Sequence, residues 1–134
     1  MPGIKDFKGK VSVITGAGSG IGRATALALA ENGADLVLAD IHGERLEEVA
    51  AAVRARGVRV ITRTVDVADK ARVDAFAAFA IAERGHVDIL FNNAGVGVAG
   101  TVVDTDIADY EWIFSVNYWG VLYGLKAFLP HMIA

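Results

Sequence analysis

The stretch Thr15-Gly-Ala-Gly-Ser-Gly-Ile-Gly22 decides the fold of this chain. It follows an apolar run at 11–14, which is typical of a buried strand, and precedes an Ala/Leu-rich stretch at 23–31, which is typical of a helix. Its four glycines let the backbone turn tightly and approach a ligand where a Cβ atom would collide. The free N–H groups and the positive dipole end of the following helix favour an anion such as a pyrophosphate. The stretch therefore predicts a nucleotide-type ligand at a strand-to-helix turn.

Composition restricts the classes of partner. The chain has 134 residues, 54% of them hydrophobic, which suits one domain with a buried core. The net charge of −3 provides no basic surface, so we do not expect nucleic acid as a partner. The chain has no cysteine, which excludes disulfides, thiolate nucleophiles and Cys-based metal sites. The three histidines lack metal-ligand spacing, so we predict no metal site.

Neither the N-terminus nor the apolar stretches predict a membrane protein. The first residues lack the apolar core of a signal peptide. The uncharged stretch 112–125 has 14 residues, fewer than the roughly 20 apolar residues that a spanning helix needs. We expect a cytoplasmic protein without a membrane partner.

Strand and helix signals alternate along the whole chain. Strands are predicted at 11–15, 35–39, 58–65 and 87–91, and helices at 21–32, 43–56, 70–84 and about 105–132. Gly33, Gly57 and Gly85 each follow a helical stretch and are typical of helix ends. This alternation predicts an α/β fold of the Rossmann type, a doubly wound parallel sheet of about four strands in the order 3-2-1-4 with helices on both faces. The third predicted strand carries Arg59 and Arg63, and such charged side chains indicate a strand at the edge of the sheet.

The glycine spacing narrows the class of nucleotide site. The pattern is Thr-Gly-x-x-x-Gly-x-Gly, with Gly16, Gly20 and Gly22 in the fixed places, and differs from the common G-x-G-x-x-G. No Gly-Lys-Ser/Thr follows, which argues against a Walker-type phosphate loop. We assign these three glycines, together with Ser19 and Ile21, to cofactor binding.

An acidic residue follows the second predicted strand, at the position where a dinucleotide site requires a carboxylate. Asp40 lies 18 residues after Gly22, at the end of the second predicted strand, where its carboxylate can accept hydrogen bonds from both hydroxyls of an adenosine ribose. It would repel a 2′-phosphate, and neither Ser19 nor Ile41 supplies a cation for one. We therefore predict NAD rather than NADP, with Asp40 and Ile41 in contact with it. The alternative is that Asp40 caps the second helix.

The third and fourth strands also end in polar side chains. Asp66 could accept a hydrogen bond from an adenine amino group while Val67 packs on the ring, and the alternative role of Asp66 is a cap near Lys70. Asn-Asn-Ala-Gly at 92–95 follows the fourth strand. That is the switch point where doubly wound sheets bind ligands, and its amides can bridge neighbouring strands.

The motifs at 15–22, Asp40, Asp66-Val67, 92–95 and Asn117 together resemble the short-chain dehydrogenases/reductases, in that family's order and over the whole chain. The resemblance implies that residues 1–134 are one NAD(P)-binding domain, the N-terminal part of the family fold.

The resemblance also assigns roles to single residues. It implies that Asn93, Ala94 and Gly95 line the ribose on the nicotinamide side, and that Asp66 and Val67 hold adenine. Asn117 matches the asparagine of the family's proton relay. Its alternative role is that of a buried polar residue satisfied by neighbouring backbone.

The family performs hydride transfer with a Ser and a Tyr-x-x-x-Lys pair that lie beyond the region equivalent to this chain. No tyrosine here has a lysine four residues later. The resemblance thus implies the NAD-binding portion of an oxidoreductase for a small alcohol or carbonyl substrate, inactive as this chain alone. The alternatives are a non-catalytic, structural or self-associating Rossmann fragment and an adenosylmethionine-dependent methyltransferase.

The last predicted helix and the fourth strand indicate self-association. The helix carries more apolar side chains than half a sheet can cover: Ile107, Tyr110, Ile113, Phe114, Tyr118, Val121, Leu122, Leu125 and Phe128. The far edge of the fourth strand has no predicted neighbour. An open strand edge beside an uncovered apolar helix predicts a homo-oligomer, and in the family the corresponding helix helps to form subunit contacts.

Overall fold

A computed structural model describes residues 3–134 and contains one four-stranded parallel sheet in the order β3-β2-β1-β4. The strands are β1 (Val11–Thr15), β2 (Asp35–Asp40), β3 (Val60–Thr64) and β4 (Ile89–Phe91). The helices are α1 (Gly20–Glu31), α2 (Gly43–Arg54), α3 (Lys70–Arg84), α4 (Ile107–Phe114) and α5 (Val121–Met132). The predicted α/β class and strand order are confirmed, whereas the predicted count of four helices is wrong, because the last predicted helix is divided into α4 and α5.

The two central strands are buried on both faces. Every residue of β1 and β2 is buried, as expected of parallel strands covered by helices. Val13 pairs with Val37 on one side and with Leu90 on the other. Two apolar cores result: Val13 contributes to the face under α3 and α5, and Ile14 to the face under α1 and α2. Because all the strand pairings are parallel, the carboxyl ends of the four strands lie at the same edge of the sheet.

The two outer strands, β3 and β4, each begin two residues later than predicted, because a side chain makes a hydrogen bond at the start of each strand. The Asp88 carboxylate accepts the N–H of Val11 at 2.9 Å, so β4 begins at Ile89 rather than at 87. Asp35 likewise accepts the backbone N–H of Arg59 at 3.0 Å, and β3 begins at Val60 rather than at 58. In both places a carboxylate takes the position of a strand carbonyl, which sequence periodicity does not reveal.

An ion pair reinforces the β2–β3 edge at the end of the sheet opposite the carboxyl ends. Arg59 Nε donates to Asp35 Oδ2 at 2.8 Å. Burial alone raises the pKa of Asp35, but the hydrogen bonds and positive charge of Arg59 outweigh it and hold that pKa below its usual value. The carboxylate is thus ionised at neutral pH, and its stabilising contribution is lost as the pH falls through the lowered pKa.

The glycines predicted to end helices do so. Gly33, Gly57 and Gly85 have φ values of 89°, 82° and 80°, in the left-handed region that glycine adopts without strain. The second helix ends at Arg54, two residues earlier than its predicted end at 56.

The prediction of one regular helix at 105–132 is wrong in its middle. The helix begins at Ile107, and Ser115–Gly120 form a π-helical segment between α4 and α5. At the end of this segment the helix packs closely on the turn that follows β3, because a Cβ atom on Gly120 would lie 2.8 Å from Val67 Cγ2. Apolar periodicity does not distinguish a π turn from an α turn, so the sequence contained no signal for it. Within residues 3–134, no helix is long and apolar enough to cross a membrane.

Candidate functional site

A cavity of about 770 Å³ opens at the carboxyl edge of the sheet. The predicted site residues in its wall are Gly16, Ser19, Gly20, Ile21, Asp40, Ile41, Asp66, Val67, Asn93, Ala94 and Gly95. The other two predicted residues, Gly22 and Asn117, do not line it. Four separate chain segments thus converge on one space at the switch point of a doubly wound sheet.

The glycine loop forms one wall of the cavity. Gly16 and Gly20 have φ values of 63° and 53°, which L side chains rarely adopt. Ser19 precedes α1 in an extended conformation and its side chain makes no capping hydrogen bond. The serine hydroxyl and the N–H groups of the first turn of α1 are therefore available to an anion in the cavity.

Gly22 packs against the glycine loop on the side away from the cavity. It is buried, and a Cβ atom there would overlap the carbonyl oxygen of Gly16 and lie 2.5 Å from Asn93 Nδ2. Its contribution in this structure is the close packing of α1 on the loop rather than a surface toward the cavity.

Asp40 ties the glycine loop to the end of β2. Its Oδ2 accepts the N–H of Gly18 at 2.8 Å, and its Oδ1 accepts the N–H of His42 at 2.8 Å. The N-cap of α2 is His42, and no side chain caps that helix, so the alternative that Asp40 caps it is wrong. Each carboxylate oxygen keeps a lone pair for a hydroxyl in the cavity.

Asp66 makes a turn rather than a cap. Its Oδ1 accepts the N–H of Ala68 at 3.0 Å, whereas the N-cap of α3 is Asp69, which accepts the N–H of Arg72. The alternative of a capping Asp66 is therefore also wrong. Asp66 and the buried Val67 both face the cavity.

The amide of Asn93 bridges β4 to the glycine loop, as the sequence predicted of this turn. Its Nδ2 donates to the carbonyl oxygens of Thr15 at 3.1 Å and Gly16 at 3.2 Å. In return, the Thr15 hydroxyl oxygen accepts the N–H groups of Asn93 and Ala94, each at 3.1 Å. Thr15 was not among the predicted site residues, and only its place in the motif indicated a role.

Asn117 holds the segment that follows the fourth strand. Its Oδ1 accepts the N–H of Val96 at 2.8 Å and its Nδ2 donates to the carbonyl of Val96 at 2.7 Å. The residue is exposed, so the alternative of a buried polar side chain is wrong as to burial but right as to its backbone partners. Asn117 thus fixes one cavity-lining residue from the π-helical segment.

Sequence reasoning missed several residues in the wall, notably Arg45 from α2 and Trp112 from α4. The prediction of NAD rests on the absence of a cation at Ser19 and Ile41, whereas the cation in the wall, Arg45, follows Asp40 by five residues. Trp112 and Val116 are four residues apart, which was a usable signal for one helix face just before Asn117. Within the described part of the chain, no cluster of His, Asp or Glu could hold a metal ion.

The chain is similar to known dehydrogenases along its length. A family model described as short chain dehydrogenase matches residues 10–134. The SadH protein of Mycobacterium tuberculosis is 45% identical over 131 residues, which are 98% of this chain and 48% of SadH. The meso-2,3-butanediol dehydrogenase of Serratia marcescens is 41% identical over 127 residues, 95% of this chain and 50% of that enzyme. The chain thus spans about half the length of the curated relatives it matches.

Solved structures agree with the fold. A short chain dehydrogenase/reductase from Burkholderia phymatum in complex with NAD is 45% identical, has a TM-score of 0.92, and is matched over 96% of this chain and 46% of its own. A short chain dehydrogenase from Mycobacterium paratuberculosis bound to NAD is 30% identical with a TM-score of 0.91, over 96% of this chain and 52% of its own.

Proposed function

Because the chain belongs to the short-chain dehydrogenase family, we propose that it is the NAD-binding half of an oxidoreductase that exchanges a hydride between NAD(H) and an alcohol or carbonyl substrate. The observation that carries the proposal is the pairing of Asp40 with the glycine loop in the wall of one cavity. An anion site at a helix N-terminus next to a ribose-binding carboxylate is the arrangement that a dinucleotide requires.

Each part of the wall takes a part of the cofactor. The pyrophosphate would lie at Ser19, Gly20 and Ile21, against the first turn of α1, whose N–H groups and dipole neutralise it. The Asp40 carboxylate would accept from the ribose hydroxyls of the adenosine, next to Ile41. The wall thus provides hydrogen-bond partners both for the pyrophosphate and for the adenosine ribose hydroxyls of NAD.

The remaining contacts are assigned in the same way. Adenine would lie between Asp66 and Val67, and the second ribose would lie along 93–95, where small residues leave space. NAD, when bound, supplies the nicotinamide ring that accepts the hydride.

The chain alone lacks a Tyr-x-x-x-Lys pair to move the proton of the substrate. Both ends of the Asn117 amide are engaged by Val96, so we assign Asn117 a positioning role within the relay implied by the family. NAD binding without turnover follows for the chain by itself. The cytoplasmic location stays a prediction from the sequence.

Trp112 should report NAD in the cavity. Trp112 and Trp119 are the two tryptophans of the chain, and of the two only Trp112 lines the cavity. In Trp119→Phe, we expect saturable quenching of the Trp112 emission on addition of NAD⁺, because Trp112 lines the cavity in which NAD would lie. In Trp112→Phe, the Trp119 emission should stay constant. The NAD⁺-loaded chain, given an alcohol, should form no NADH by absorbance.

Equal quenching of both variants would place NAD outside this cavity and reject the proposal. Formation of NADH by the chain alone would reject the inactivity.

A second candidate role, self-association, is favoured by one surface of the structure. Phe114, Tyr118 and Trp119 are 59%, 56% and 47% exposed, and Tyr118 and Trp119 contact each other edge to face with ring centroids 5.3 Å apart. Within residues 3–134, the sheet ends at β4, whose only neighbour is β1. An apolar patch of this kind is more often an interface than a free surface.

We expect sedimentation velocity to show species larger than the monomer that increase with protein concentration. Tyr118→Glu should shift the distribution toward monomer, because burying a carboxylate in an apolar interface is costly. Val103→Glu is the matched control, since Val103 is 93% exposed and lies outside the patch. A wild-type chain that stays monomeric at every concentration would reject this role.

A further inference from the structure

Arg45 is a cation in the cavity wall that the proposed function does not use. It is the third residue of α2, it is exposed, and it lines the cavity beside Asp40. No hydrogen bond or ion pair engages its guanidinium within residues 3–134. Arg54 of the same helix differs, because its guanidinium lies 4.0 Å from Glu47.

The stability of α2 does not account for the position of Arg45. The first turn of a helix carries the positive end of the dipole, so a cation there is unfavourable. Residues that break such a local rule are commonly found at functional sites.

Arg45 and Asp40 approach the same point of the glycine loop. A Cβ atom built on Gly18 would lie 2.9 Å from the Asp40 carboxyl carbon and 3.3 Å from Arg45 Cβ. The Asp40 carboxylate is fixed by two backbone N–H groups, whereas nothing fixes the guanidinium. Arg45 is also the one Arg or Lys among the wall residues of the described chain. The ribose end thus combines a fixed anion with an adjacent, unpaired cation.

We propose that Arg45 is a cofactor-specificity residue whose attraction for a 2′-phosphate is held in check by Asp40. This inference rests on the proposed function. A 2′-phosphate on the adenosine ribose would meet the fixed Asp40 carboxylate at close range and be repelled. The guanidinium is the planar, permanently charged group that pairs best with phosphate. Arg45 attracts the 2′-phosphate even while Asp40 repels it, and once the negative charge of Asp40 is removed this attraction is no longer opposed.

The test measures dissociation constants of NAD⁺ and NADP⁺ by calorimetry, with displacement of bound NAD⁺ where NADP⁺ is weak. Arg45→Gln should weaken NADP⁺ about tenfold more than NAD⁺, the loss of about one charge-assisted hydrogen bond. Arg54→Gln is the matched control, an equal charge change on the same helix away from the wall, and should change neither constant. Asp40→Asn should strengthen NADP⁺ binding by at least about tenfold, and adding Arg45→Gln should weaken NADP⁺ binding by that variant about tenfold.

The outcomes separate the two proposals. A folded wild-type chain that does not bind NAD⁺ rejects the proposed function. A wild-type chain that binds NAD⁺, with Arg45→Gln changing NAD⁺ and NADP⁺ equally or not at all, rejects the role of Arg45. Should Asp40→Asn fail to fold, the Arg45→Gln and Arg54→Gln pair in the wild-type background decides alone.

Discussion

Replacing Gly22 with alanine is expected to destabilise the chain by about 2–3 kcal/mol and to weaken NAD binding at the same time. The added Cβ atom would overlap the carbonyl oxygen of Gly16 and crowd Asn93 Nδ2. The contacted groups are backbone and a hydrogen-bonded amide, so they cannot move aside without breaking the bridge between β4 and the glycine loop. Both stability and the cofactor site depend on that bridge.

The sign of this effect is diagnostic. Alanine normally favours a helix by about 1 kcal/mol over glycine, so intrinsic propensity predicts that Gly22→Ala stabilises α1. Urea unfolding measures the free energy of unfolding, and Ala24→Gly, at an exposed position of the same helix, is the control, with an expected loss of about 1 kcal/mol. A Gly22→Ala protein as stable as the wild type would show that the close packing described here is incorrect.

Replacing Asp40 with alanine is expected to reduce NAD⁺ affinity by roughly 10- to 150-fold. The substitution removes the acceptor for the ribose hydroxyls and leaves the N–H groups of Gly18 and His42 without their partner. Losing hydrogen bonds to a charged group costs about 1.5–3 kcal/mol, and a tenfold change in affinity corresponds to 1.4 kcal/mol. Calorimetric titration measures the change.

Asp69→Ala provides the comparison for this experiment. It also removes an aspartate that accepts a backbone N–H, but Asp69 is exposed at the start of α3 and outside the cavity wall. Its expected cost is about 1 kcal/mol of stability, as for other N-caps, with no change in NAD⁺ affinity. Equal losses of affinity in the two variants would mean that Asp40 acts only through folding.

Much of the fold follows from local sequence signals. The apolar run of β2, the glycine stops and the two arginines of the predicted third strand each report on their own surroundings, and together they indicate the strand order. The prediction fails where a side chain replaces backbone pairing, as at Asp88, or where a helix widens, as at Ser115–Gly120. Those features depend on tertiary contacts that periodicity does not encode.

The candidate site was predictable to a similar extent. Motif spacing located the residues that follow each strand, because parallel strands bring their carboxyl ends to one edge. Arg45 and Trp112 lie on helices and reach the cavity only through the way those helices pack. The choice between capping and other roles for Asp40 and Asp66 likewise required the actual hydrogen-bond partners.

Calorimetric titration of NAD⁺ into the wild-type chain tests the central claim most directly. We predict a saturable heat signal with one NAD⁺ per chain and a rise in Tm with NAD⁺ concentration, as binding to the folded state requires. A chain that unfolds cooperatively, yet shows neither heat of binding nor a change in Tm at any NAD⁺ concentration, would contradict the assignment of this cavity to NAD.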